Sequence, residues 1–301
     1  MDNAHPALRK RRLGRTELQV TGIGLGGAWL MGRKADQPLT SGAEIVRYAL
    51  EQGINYVDTA ECYGESELAV GMALEGYDGD CVLATKFGHV PEAFDFSRQA
   101  VLESVERSRE RLRYRPIDLL QLHTPPEPLW ESLWGENGAI AGMKEAQERG
   151  WCRWLGTTGR DVEFLRRCVE TDIFDTLLVF LRYDLMDVTA TTLLKEAKAH
   201  DMGVFLASPL RLGLFGSARE ESIPYLTSEE QTQLKQLDAL FEGEEGGISG
   251  GALRFACACP YADVVLSGAG TKKELESVLE VTATPLTESL ETAVLDIATA
   301  E

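Results

Sequence analysis

The 301-residue sequence is poor in positive charge, with 30 Lys and Arg residues against 48 Asp and Glu residues. The formal net charge is therefore −18 and the pI is about 4.7. Nucleic acids and anionic membrane surfaces repel an acidic protein, so we expect neither as a partner. A local basic pocket for a phosphate group is still compatible with this composition.

Two further absences narrow the class of protein. None of the six cysteines has the paired C-x-x-C spacing of a zinc or redox site, so we predict no metal site. No apolar run reaches the length of a membrane span, and the first residues, MDNAHPALRKRRLG, lack the apolar core of a secretory signal. We therefore expect a cytoplasmic location, with the cysteines as buried thiols.

What the sequence does contain is a regular alternation of short apolar runs and segments of helical periodicity. The predicted strands are 21–26, 54–58, 82–86, 117–122, 153–157, 175–179, 203–207 and 263–266. Continuous apolar strands followed by helices are typical of parallel sheets, and eight such units predict an α/β fold of the (β/α)8 TIM-barrel type. An open doubly wound sheet is the alternative. A hairpin at 12–20 and a helix at about 286–299 would complete a single domain over residues 1–301.

Polar residues stand at the ends of three successive predicted strands. Asp58 ends the second strand within GINYVDTAECYGESE, and Tyr63 follows on its loop; Lys86 ends the third strand and His123 the fourth. The carboxyl ends of barrel strands face one pocket, so these side chains should converge. A lysine that ends an apolar strand needs a counter-charge, which Asp58 can supply.

This set of residues predicts proton-transfer chemistry. Lys86 should lower the pKa of Tyr63 from about 10 and allow the phenol to act as general acid or base, with His123 as a second donor. Without an activated nucleophile, such a site suits proton transfer paired with hydride transfer from a nicotinamide. A purely structural Asp–Lys pair and a lyase that uses Lys86 as a Schiff base are alternatives. The other histidines, His5, His89 and His200, are interpreted as surface or packing residues.

Nearly the whole chain resembles the aldo-keto reductase superfamily. The resemblance is carried by LGRTELQVTGIGLGGAW, VDTAECYGESE, LATKFG, SVERSRERLRYRPIDLLQLH, WLGTTG, LASPL and ALRFACACPYADVVLSGAG. It places the family's catalytic tetrad on Asp58, Tyr63, Lys86 and His123. It implies NAD(P)-dependent interconversion of an aldehyde or ketone, or a sugar lactone or hemiacetal, with the corresponding alcohol. A non-catalytic regulatory barrel that binds a nicotinamide nucleotide is the alternative.

The resemblance also implies the cofactor-binding positions, which are Gly27, Thr158, Gly159, Ser208, Pro209, Leu210, Gly268, Gly270, Thr271, Lys272 and Glu274. Three nicotinamide positions depart from the family pattern: Gly159 replaces an Asn, Phe180 a Gln and Ala207 an aromatic residue. Substrate contacts are expected from loops that carry Trp29, Met31, Glu61, Cys62, Phe87, His89 and Trp130. A small carbonyl compound or sugar is the expected partner.

The glycine-rich segment before the last barrel helix is a candidate phosphate site, because glycine-rich loops at helix N-termini bind anions. In the family it grips the 2′-phosphate of NADP through basic residues, where this chain has Gly268 and Glu274. Lys272 and Lys273 either compensate or simply face solvent, whereas a carboxylate better accepts from the 2′-hydroxyl of NAD. The resemblance favours NADP, which we predict, with NAD as the close alternative.

Overall fold

A computed structural model describes residues 5–31, 37–88, 95–125 and 127–299. An antiparallel hairpin of β1 (Lys10–Arg12) and β2 (Gln19–Thr21) comes first. The strands that follow are β3 (Ile23–Gly26), β4 (Tyr56–Asp58), β5 (Val82–Phe87), β6 (Ile117–His123), β7 (Cys152–Gly159), β8 (Thr176–Phe180), β9 (Gly203–Ala207) and β10 (Val264–Ser267).

The α-helices of the described residues are α1 (Leu39–Glu51), α2 (Ser66–Leu74), α3 (Arg98–Arg111), α4 (Trp130–Leu133), α5 (Ala139–Glu148), α6 (Val162–Glu170), α7 (Thr191–Ala199), α8 (Arg219–Ser222), α9 (Ser228–Leu240), α10 (Gly247–Ala258), α11 (Lys272–Thr282) and α12 (Glu288–Thr299). Short 3-10 turns lie at Pro6–Leu8, Gly14–Thr16, Gly27–Trp29, Glu127–Leu129, Arg211–Gly213 and Ile223–Tyr225. No helix in these ranges is long and apolar enough to cross a membrane.

The strands β3 to β10 form one closed parallel barrel. Neighbours along the chain are neighbours in the sheet, and β10 pairs with both β9 and β3. The β10–β3 pairing closes the sheet, so the predicted (β/α)8 barrel is confirmed and the open-sheet alternative is excluded. All carboxyl ends consequently open at the same end of the barrel.

Large side chains fill the barrel beneath that opening. The rings of Tyr56 and Phe205 lie 4.7 Å apart between their centroids and belong to an apolar cluster inside the strands. The hairpin covers the opposite end, where Leu13 packs so tightly that a Cβ on Gly203 would lie 2.6 Å from it. Within the described residues, the amino ends of the strands are thus covered and the carboxyl ends are open to a ligand.

The structure differs from the predicted elements at two places. The first barrel strand begins at Ile23 rather than at residue 21, because Thr21 pairs with Lys10 in the hairpin. The proline-rich loop after β6 contains the short helix α4, which was not predicted because prolines normally indicate a loop. Side chains cap the starts of α3, α6, α9 and α11, and at α9 Thr227 and Glu230 form a capping box.

Candidate active site

The alternation of side chains along the barrel strands sets the polar cluster. On β5, the residues two and four positions before Lys86 belong to the apolar cluster inside the barrel, so Lys86 points inward as well. The same two-residue spacing places Asp58 on β4 and Gln121 on β6 inside. Lys86 and Gln121 are direct neighbours in the β5–β6 pairing.

Lys86 and Asp58 form a buried ion pair, to which Gln121 adds a hydrogen bond. The Lys86 ammonium contacts the Asp58 carboxylate and donates to the carbonyl oxygen of Thr59 at 2.9 Å. The other Asp58 oxygen accepts from the Gln121 amide at 2.8 Å. Lys86 is 2% exposed and Asp58 3%, so the pair is stable only because each charge has partners. Gln121 was not predicted from the sequence, although it stands two residues before His123 and therefore on the same face of β6.

Tyr63 and His123 complete the cluster above the ion pair. The Lys86 ammonium lies 4.7 Å from the centroid of the Tyr63 ring. The Tyr63 and His123 rings are nearly perpendicular, at 85°, with centroids 5.7 Å apart. The structure thus brings the four predicted catalytic side chains together at the open end of the barrel.

The pKa of Tyr63 is shifted in the direction opposite to the one predicted from the sequence. Burial raises the pKa of this phenol more than the Lys86 ammonium lowers it, so the phenol stays protonated at neutral pH. Burial by itself would lower the pKa of Lys86, but Asp58 and Tyr63 raise it by more. The prediction that Lys86 brings the Tyr63 pKa below its ordinary value was wrong, because it neglected the desolvation of the loop.

A cleft of ≈ 450 Å³ opens beside the cluster and has Asp58 and Tyr63 at one end. This volume is in the usual range for small-molecule sites. Of the predicted cofactor-binding residues, those that line it are Gly27, Ser208, Pro209, Leu210, Gly268, Gly270, Thr271 and Glu274. Gly246, Ser249 and Gly250, before and within α10, also line it and were not predicted.

The glycine-rich loop after β10 forms one wall of this cleft. Thr271 caps α11 by accepting from the backbone N–H of Glu274 at 3.1 Å, and the Glu274 carboxylate accepts from the N–H of Gly270 at 2.8 Å. Lys272 instead reaches Glu44 on α1 at 3.4 Å and is not among the lining residues. Among the described residues that line the cleft, none is a lysine or an arginine.

The two predicted nicotinamide contacts on β7 face different ways. Thr158 pairs with His123 across β6 and β7, and its buried hydroxyl has no hydrogen-bond partner among the described residues. A Cβ on Gly159 would meet Leu165 of α6 at 3.3 Å, so this position faces the helix layer and offers only backbone. Thr158 is therefore the better placed of the two to hold a ligand.

The loop after β9 is held in an unusual conformation. Ser208, Arg211 and Leu212 have φ values of 59°, 45° and 53°, which few non-glycine residues adopt. Arg211 donates to both carboxylate oxygens of Asp184, at 3.1 and 2.9 Å, and Asp184 is only 1% exposed. The Arg211–Asp184 ion pair holds the loop beside the cleft. It was not predicted from the sequence.

Most of the expected substrate contacts lie elsewhere. Trp29 lines the cleft, whereas Glu61 pairs with Arg107 at 2.6 Å. Met31 and Phe87 are buried, and Trp130 packs on Trp134 in the same loop and on Phe164 of α6.

The remaining histidines fit their interpretation where they can be placed. His5 bonds to the backbone near α11, and His200 lies 3.7 Å from the surface residue Asp172. His89 is outside the described residues.

Comparison with known proteins agrees with this geometry. The model of the aldo/keto reductase family matches residues 22–296. L-galactose dehydrogenase from Arabidopsis thaliana is 29% identical over 274 residues, which cover 88% of this chain and 85% of that protein. D-threo-aldose 1-dehydrogenase from Pseudomonas sp is 25% identical over 272 residues, or 79% of this chain and 82% of that protein.

A solved structure has the same architecture. The holo form of the aldo-keto reductase AKR11C1 from Bacillus halodurans superposes with a TM-score of 0.82 at 26% identity and covers 97% of both chains.

Proposed function

Because this chain belongs to the aldo/keto reductase family and is therefore an NAD(P)H-dependent oxidoreductase, we propose that it interconverts an aldehyde or aldose with its alcohol or lactone partner, with Tyr63 as general acid and base. The observation that carries this assignment is the phenol of Tyr63 set against the Lys86–Asp58 ion pair at the mouth of the cleft.

Each side chain has a distinct task in this proposal. Tyr63 donates its proton to the carbonyl oxygen during reduction and takes it back during oxidation. The Lys86 ammonium, held by Asp58 and Thr59, stabilises the negative charge that then develops on the phenol oxygen. His123 stands beside Tyr63 and donates a hydrogen bond to the same substrate oxygen.

The residues of the cleft fit a nicotinamide dinucleotide. The hydroxyl of Thr158, which has no hydrogen-bond partner among the described residues, is suited to the carboxamide. In the Gly268–Thr271 loop at the start of α11, the N–H of Gly270 donates to Glu274, so a phosphate would be met by the other backbone N–H groups. When bound, the nicotinamide supplies or accepts the hydride. Gly159, Phe180 and Ala207 offer it no side-chain hydrogen bond, so Thr158 and backbone groups carry the polar contacts.

The charges at the far end of the cleft favour NAD over NADP. NADP is predicted from the resemblance alone, and Lys272, one of the two lysines considered as a replacement phosphate ligand, reaches Glu44. Glu274 lines the cleft and would repel a 2′-phosphate but accept from a 2′-hydroxyl. We therefore propose NAD(H) as the better cofactor, with NADP(H) as the second candidate.

The cofactor assignment is tested by fluorescence titration with NADH and NADPH side by side. NADH should bind more tightly, and Glu274→Lys should raise the affinity for NADPH by about 10-fold, equivalent to about 1.4 kcal/mol. Glu280→Lys on the exposed part of the same helix makes the same charge change outside the cleft and is the control. Tighter binding of NADPH by the unaltered protein would contradict the preference for NAD.

The substrate class follows from the relatives, two of which carry names of sugar dehydrogenases. A panel of aldoses, simple aldehydes and ketones, assayed in both directions, tests the assignment. Tyr63→Phe should lower turnover by about 10²- to 10⁴-fold without weakening dinucleotide binding. The exposed Tyr114→Phe is the matched control. Unchanged turnover in Tyr63→Phe would refute the role of this phenol.

The Schiff-base alternative is disfavoured by the state of Lys86. An amine must be unprotonated to attack a carbonyl, whereas Asp58 and Tyr63 raise the pKa of Lys86 against the effect of burial. Absence of borohydride trapping with a carbonyl substrate is the expected result.

A further inference from the structure

Cys62 lies directly before Tyr63 and contacts a second member of the catalytic cluster. Its Sγ is 3.4 Å from Nδ1 of His123, within the range of a hydrogen bond that involves sulfur. We propose that Cys62 is a positioning residue whose thiol donates to Nδ1 and holds His123 in the tautomer with its proton on Nε2. This inference rests on the proposed role of His123 as a donor to the substrate oxygen.

The thiol is the donor in this contact because it keeps its proton. Burial raises the pKa of Cys62 to about 11, although the nearby Lys86 ammonium acts in the opposite direction. A thiol can donate one weak hydrogen bond, and a neutral imidazole that accepts at Nδ1 carries its own proton on Nε2. The same high pKa makes Cys62 a poor nucleophile, since only the thiolate is reactive.

This tautomer is the one that the proposed reaction needs. The His123 ring stands nearly perpendicular to the Tyr63 ring, so both side chains can serve one oxygen atom. With Nδ1 directed at Cys62, the Nε2–H group is the one that donates to that oxygen. With the proton on Nδ1 instead, Nε2 would present a lone pair and repel the carbonyl oxygen.

The tautomer can be measured without turnover, by nitrogen NMR of the protein labelled at histidine. The signals of His123 are assigned with a His123→Gln variant. We expect Nε2 to be protonated and Nδ1 unprotonated near neutral pH, and Cys62→Ala to shift the Nδ1 signal. Cys257→Ala removes a partly buried thiol that lines a second, separate cavity and should leave the signal unchanged. A proton on Nδ1, or a signal insensitive to Cys62→Ala, would overturn the proposal.

Kinetics give the second readout. Cys62→Ala should lower kcat by about 2- to 10-fold, the loss of one weak to ordinary hydrogen bond, with dinucleotide affinity unchanged. Cys62→Ser should restore most of kcat because a hydroxyl also donates. Equal losses in the two variants would overturn the proposal. Failure of the wild-type protein to turn over any substrate would count against the proposed function alone, since the NMR result stands independently.

Discussion

The buried Lys86–Asp58 pair makes a stability prediction that can be tested apart from catalysis. Asp58→Asn keeps the side-chain volume and one acceptor oxygen but removes the carboxylate charge, so the buried ammonium is left with neutral partners such as the Thr59 carbonyl oxygen and Tyr63. Loss of one partner from a buried pair costs about 3–5 kcal/mol of unfolding free energy. Lys86→Met should cost a similar amount, because Asp58 then keeps only the Gln121 amide. The double variant should be more stable than either single variant, since no charge is left unpaired.

The pH dependence of these variants gives a sharper signature. Burial lowers the pKa of Lys86, but in the wild type Asp58 and Tyr63 raise it by more, so folded and unfolded chains both hold the proton below pH about 10.4. The contribution of the pair is therefore constant at neutral pH and is lost only as pH rises through the folded-state pKa. In Asp58→Asn burial dominates, the folded-state pKa falls, and stability should rise with pH by up to about 1.4 kcal/mol per unit.

Urea unfolding followed by tryptophan fluorescence at pH 7 and pH 9 measures both effects across the wild type, the two single variants and the double variant. Equal stability and equal pH slopes in Asp58→Asn and the wild type would show that the carboxylate does not hold the ammonium, and the reasoning would fail.

Three further predictions concern the proton and the cofactor. Burial keeps the Tyr63 pKa above its ordinary value of about 10, so the rate of alcohol oxidation should still be climbing with pH at about 10, whereas aldehyde reduction should not climb; a flat oxidation profile would contradict this. Arg211→Met leaves the buried Asp184 carboxylate unpaired and should cost about 3–5 kcal/mol in urea unfolding, and also weaken dinucleotide binding in a titration. Gly268→Ala should weaken that binding as well, because a Cβ would lie 2.6 Å from Trp29, and wild-type affinity would show that the loop moves freely.

The barrel and its polar cluster were predictable because both follow from local patterns. Continuous apolar strands between amphipathic helices specify a parallel sheet, and eight units close it. Once closure is assumed, strand ends that carry Asp58, Lys86 and His123 must meet. The two-residue period of β6 would have added Gln121 by the same reasoning.

The features of the site that could not be predicted from the sequence depend on contacts between segments that are distant in the chain. The contact between Arg211 and Asp184 joins residues 27 apart in the chain, in two different loops. From the sequence, Lys272 is a candidate phosphate ligand. The packing of α1 against α11 instead places its ammonium near Glu44. The pKa of Tyr63 depends on how deeply its loop is buried, which neighbouring residues in the sequence do not reveal.

The distribution of the site along the chain has a further consequence. The residues proposed for proton transfer are Asp58, Tyr63, Lys86 and His123, and all come from the first half of the barrel, whereas most of the cleft wall, over residues 207–281, comes from the second. Substitutions in the second half can therefore change the cofactor preference, while the residues proposed for acid–base chemistry in the first half stay the same. A chimera that exchanges the second half with a relative should carry the donor's cofactor preference with it.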